Sequence, residues 1–168
     1  MKKVAIVAVA LVALLLLEAN GASSSLGRRV LRFGTMAGVV GPYVGPDHPI
    51  RGVPGGGLPW QIDEAHGVLR AGGRIRIEVE GLVLLADDPV PAELQGTNPV
   101  PFFRGLVSCE TIDGEGNAVT TNVSTDPFPA TMTGDAEILD TVDLPRPCFA
   151  PVVFVTSPTG QWFSVTGN

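Results

Sequence analysis

Arg74-Ile75-Arg76-Ile77-Glu78-Val79-Glu80 alternates charged and β-branched side chains without a break. In an extended chain successive side chains point to opposite faces. A period of two therefore puts Arg74, Arg76, Glu78 and Glu80 on one face and Ile75, Ile77 and Val79 on the other. The reading is a strand with one wet face and one buried face. After Gly81 the pattern changes to Leu82, Val83, Leu84 and Leu85, apolar on both faces, which predicts a bend or bulge at Gly81 and cover on both sides beyond it. Gly72 and Gly73 precede the strand and suit a tight turn from a shorter strand around Gly67 to Arg70.

Working outward, the same signals recur. Phe102 to Ile112 reads as a strand with Phe103, Val107 and Cys109 on one face, and that phase aims the cysteine inward. Asp113-Gly114-Glu115-Gly116 is a turn, and Ala118 to Thr125, rich in valine and threonine, returns as the second arm of a hairpin. Thr131 to Leu144 reads as one long or two broken strands. Val152 to Val155 is apolar on both faces and predicts a central, fully buried strand. Pro158-Thr159-Gly160 is a turn, and Trp162 to Thr166 pairs back as the last strand. No stretch shows the three- and four-residue apolar spacing of a capped helix, and no repeat is evident. Short strands at regular spacing with frequent turns predict an all-β fold. We expect an antiparallel β-sandwich in a single domain, with a small β-barrel as the alternative.

The N-terminus is read as an export signal. Lys2 and Lys3 supply a positive start, Val4 to Leu17 is an unbroken apolar run, and Glu18 ends it before small and polar residues from Ala19 to Ser25. That order is the layout of a secretory signal peptide, and the run is shorter than the roughly 20 residues a bilayer-spanning helix needs. The expected organisation is a signal peptide over residues 1–22, cleaved between Ala19 and Ser24. A glycine- and proline-rich extended segment over 23–60 drapes the sandwich, and 61–168 forms the β-sandwich core. Between Gly34 and Trp60 glycine and proline are too frequent for a continuous ladder.

Composition bounds the partners. The 168-residue chain has a formal net charge of −6, and with Lys2 and Lys3 in the leader every basic side chain of the remainder is arginine. An acidic balance argues against nucleic acid, which needs concentrated positive charge, and against anionic membranes after signal cleavage. The arginine-only remainder and the short basic leader suggest a bacterial host. Cys109 and Cys148 are the two cysteines; in an exported chain an isolated pair is most simply one disulfide, worth about 4 kcal/mol by the chain-entropy model.

No motif identifies a reaction. Gly55-Gly56-Gly57 lacks the following helix that a phosphate loop requires. Asp113, Glu115 and Asn117 have the alternating oxygen spacing that opens a calcium loop, but the glycine and distal glutamate are missing, and a hairpin turn explains them without a metal. Asp63 and Glu64 adjoin Trp60 but, as neighbours on a strand, point to opposite faces and are no catalytic pair. His48 and His66 lack a nucleophile elbow. Asn122-Val123-Ser124 matches a glycosylation acceptor. Trp60, Trp162 and Tyr43 are candidate platforms for a sugar or a partner's side chain. Trp162 and Phe163 point to opposite faces of the last strand, so one of them is expected to be exposed. The reading that follows is a secreted, non-enzymatic domain with no cofactor, acting by binding or packing on an unknown protein or surface polymer. A carbohydrate-binding module and a small secreted hydrolase are the alternatives.

Overall fold

The computed structural model describes residues 27–167; the signal peptide expected over 1–22 lies outside them. Arg74–Glu80 is a strand at those bounds, β5. It is the seed of a four-stranded antiparallel sheet with β1 (Arg29–Phe33), β4 (Glu64–Arg70) and β10 (Ala136–Thr141), in the order β1-β4-β5-β10. The second sheet follows the order β2-β12-β11-β7-β8. Its strands are β2 (Met36–Gly38), β7 (Phe102–Ile112), β8 (Ala118–Ser124), β11 (Phe149–Thr156) and β12 (Trp162–Thr166), and β9 (Phe128–Pro129) adds a sixth on β7. A two-stranded ladder joins β3 (Trp60–Gln61) to β6 (Val83–Leu84). Both main sheets have free edges, so the fold is a sandwich and not a closed barrel.

Alternation puts the core between the sheets. Ile75, Ile77, Val79 and Leu69 face inward from the first sheet; Phe103, Val107, Val153 and Val155 meet them from the second, and all are buried. Full burial of such a side chain stabilises by about 1.5–3 kcal/mol. The chain bends at Gly81, where φ is 66°, a region that glycine reaches without strain. Cys109 is fully buried on β7, in phase with Phe103 and Val107, and is bonded to Cys148, which lies in the loop before β11.

Two strand expectations need adjustment. β4 begins at Glu64, three residues before Gly67. Of Thr131 to Leu144 only Ala136–Thr141 is a strand. Residues 131–135 form a turn instead, because the Asp135 carboxylate accepts from the Thr131 and Thr133 hydroxyls at 3.1 and 2.7 Å, and the Asp135 amide donates to Thr131 Oγ1 at 2.9 Å. Such local side-chain bonds compete with a ladder.

The glycine- and proline-rich segment does more than drape. It supplies β1, an edge of the first sheet, and β2, an edge of the second, and it buries Val39, Val53 and Trp60. Residues 41–56 then cross the outer face of the second sheet. Gly56 donates to the Trp162 carbonyl at 2.9 Å and Trp162 donates to the Pro54 carbonyl at 2.9 Å. Arg51 reaches β7 through its Nη1, 3.2 Å from the Ser108 carbonyl, and Asn122 on β8 donates to the Arg51 carbonyl at 3.0 Å. A Cβ on Gly55 would overlap the Tyr43 carbonyl, so only glycine lets the two limbs of this loop approach so closely. The cover answers a need set by the sequence: β11 is apolar on both faces, and the face turned away from the first sheet must be shielded from water.

Candidate binding surface

Among the described residues one broad sheet face stays open, the outer face of β1-β4-β5-β10. Its side chains are placed by register. Glu64 lies opposite Glu80, His66 opposite Glu78, and Val68 opposite Arg76 across β4 and β5. Glu137 lies opposite Glu78, Leu139 opposite Arg76 and Thr141 opposite Arg74 across β5 and β10. Arg32 opposes Val68 and Arg29 opposes Arg70 on the other side. The strands thus set carboxylates toward one end of the face and arginines toward the other.

The two zones meet in an ion network at the centre. Glu78 receives His66 Nε2 at 2.8 Å on one oxygen and Arg76 Nη2 at 2.5 Å on the other. Arg76 also reaches Glu137, with Nε and Nη2 both 3.1 Å from Oε1. A shallow depression beside the network is lined by Arg32, Phe33, Gly67 and Val68 as well as His66, Arg76 and Glu78. The alternation of residues 74–80 announced the charged face. His66 and Glu137 come from neighbouring strands, and only the register brings them to Glu78.

The aromatic candidates fare differently from expectation. Trp60 is 3 % exposed and Trp162 is 2 % exposed, so neither indole offers a face to a ligand. Trp60 stacks on Phe163 at a centroid distance of 3.9 Å and meets Phe103 edge-on at 6.3 Å. Trp162 does point away from Phe163's neighbours, but it lies against Phe154 and under Tyr43, at 6.2 and 6.4 Å. The expectation that one of Trp162 and Phe163 is exposed is therefore corrected: the loop 41–56 covers the side that alternation leaves outward. Tyr43, 45 % exposed, remains accessible on that loop.

Asp113, Glu115 and Asn117 sit in the β7–β8 turn. Asp113 Oδ1 accepts the amides of Glu115 and Asn117 at 2.9 and 2.8 Å, and Oδ2 accepts the Asn117 side-chain amide at 3.2 Å. The Asn117 bonds, backbone first, hold the Asp113 carboxyl below the usual carboxylate range. These oxygens serve the turn. Among the described residues no group of three or more His, Cys, Asp and Glu side chains is gathered for a metal. Asp63 and Glu64 diverge: Asp63 lies against Gly81, while Glu64 joins the open face opposite Glu80. His48 is exposed on the covering loop and His66 on the opposite sheet, so the two imidazoles form no pair. Among the described residues no helix is long and apolar enough to cross a membrane.

No protein-family model matches this chain, and no curated protein or solved structure does.

Proposed function

We propose that the protein is exported, from a bacterial cell, and works outside it as a non-catalytic binding or structural domain whose contact surface is the open face of β1-β4-β5-β10. The observation that carries this reading is an asymmetry. The outer face of one sheet is covered by the chain's own loop 41–56, while the outer face of the other is left uncovered by the described residues and bears ordered charge. A disulfide between Cys109 and Cys148 fits an oxidising location outside the cytoplasm. Burial of Trp60 and Trp162 takes away the two indoles on which a carbohydrate-binding reading leaned and leaves it Tyr43 alone.

The test has two parts. Mass spectrometry of protein recovered from culture medium is expected to show a chain starting near Ala22 and lacking two hydrogens. Fluorescently labelled protein is expected to bind the surface of the producing cell, and binding is expected to fall when Arg76 and Glu78 are replaced together by glutamine. An intact Met1 on secreted material, or binding indifferent to the open face, overturns the corresponding half of the proposal.

A further inference from the structure

We infer that the arginine end of the open face is a site for a tetrahedral oxoanion, a phosphate or sulfate group either free or carried on a larger molecule, held by Arg70, Arg74 and Arg146. The inference rests on the reading of this face as the contact surface and names the chemistry that it takes.

Placement comes first. Arg70 ends β4 and Arg74 begins β5, so the two flank one hairpin turn. Arg146 arrives from the loop before β11, and all three line one depression together with Gly27, Gly72 and Thr141. At about 360 Å³ it is at the small end of ligand clefts and open to solvent. Arg28 and Arg146 line a second depression that runs on to Cys148 and Phe149. Positive charge therefore continues round the edge of the sheet, with room for a ligand bearing more than one anionic group.

Pairing comes second. Among the described residues the ion pairs involve Arg51, His66 and Arg76. None of Arg28, Arg29, Arg70, Arg74 and Arg146 has a carboxylate within 4 Å among them. This is unexpected in a chain where acids outnumber bases by 17 to 11. Arg29 even stands directly opposite Arg70 in the β1–β4 ladder, an arrangement of like charges that weakens a strand pair. An oxoanion among these guanidiniums relieves that repulsion, and the planar forks suit bidentate bonds to phosphate or sulfate oxygens. Arg70 is already held, donating from Nη1 to the Gly27 carbonyl at 2.7 Å, which leaves the rest of its fork for a ligand. The carboxylates at the far end repel an anion there and confine it to the arginine end.

The test is calorimetric titration of the full, disulfide-bonded protein with inorganic phosphate and with inorganic sulfate, alongside retention on immobilised heparin. Arg74 and Arg146 are exposed, so the double variant Arg74→Gln/Arg146→Gln is expected to keep the wild-type melting temperature and lose affinity about tenfold or more. Arg32→Gln, which removes a single positive charge elsewhere on the face, is expected to bind as wild type. Binding of the free ions identifies a free oxoanion site, and retention on heparin alone identifies a site for groups carried on a polymer; both support the inference. Absence of all binding, or equal loss in Arg32→Gln, overturns it. If the double variant instead binds as wild type while cell-surface binding still depends on Arg76 and Glu78, the oxoanion site fails and the open-face reading stands.

Discussion

Arg51, in the middle of the glycine- and proline-rich segment, donates from Nη1 to the carbonyl of Ser108, 3.2 Å away on the inner strand β7. The same residue accepts from the Asn122 amide through its carbonyl and lies 3.7 Å from Glu110. One residue, through its side chain to β7 and its backbone carbonyl to β8, thus pins a segment of unusual composition across two strands of a sheet. Arg51→Ala is expected to destabilise the protein by about 1–2 kcal/mol, because a bond from a charged donor to a strand carbonyl is lost. Denaturant titration measures this, and amide exchange is expected to speed up over residues 45–56.

Beneath that loop Ser108 Oγ and Trp162 Nε1 are buried with no protein hydrogen-bond partner among the described residues. An unsatisfied hydroxyl gains nothing from being polar. Ser108→Ala is expected to be neutral or to stabilise by up to about 1 kcal/mol, against the usual trend of core substitutions. A loss of several kcal/mol in the same titration would show that the hydroxyl has a partner.

Trp162→Ala separates a core residue from a ligand platform. Its indole is buried under Tyr43 and against Phe154, so truncation is expected to cost about 3–5 kcal/mol of stability. The wild-type protein is expected to show blue-shifted tryptophan emission that acrylamide quenches poorly.

Acid should weaken the fold in a defined window. The Thr133 hydroxyl, then the Gly81 amide and the Thr131 hydroxyl, hold the Asp135 carboxyl below its ordinary 3.8, and the Asn117 bonds do the same for Asp113. A carboxylate with a lowered folded pKa contributes stability that is present above its unfolded pKa and lost as pH falls through the folded one. Both groups lie near the surface, so the effect is modest. The denaturation midpoint is expected to be flat above about pH 5 and to fall below about pH 4, with a shallower fall in Asp135→Asn.

Reducing the disulfide, or replacing Cys109 and Cys148 by serine, is expected to cost up to about 4 kcal/mol, the chain-entropy value for a loop of this size. Thermal melting with and without reductant reads the loss directly.

Local pattern was enough for much of the fold. The alternation of 74–80 located β5 and its wet and dry faces, the phase of Phe103, Val107 and Cys109 aimed the cysteine inward, and the double-faced apolar run at 152–155 marked the central strand. Each is a property of neighbours in the chain, which strand geometry converts directly into faces. What the pattern could not supply was distance between segments. A net-acidic composition whose basic charge beyond Lys2 and Lys3 is carried by arginine says nothing of where the charges go. The pairing of β1, β4, β5 and β10 is what set Glu78 between His66 and Arg76 and brought Arg70 and Arg74 to the end that Arg146 reaches from another loop. Likewise the alternation of Trp162 and Phe163 was correct as geometry, yet it predicted exposure. Whether an outward side chain meets water depends on what crosses above it, and here residues 41–56 do.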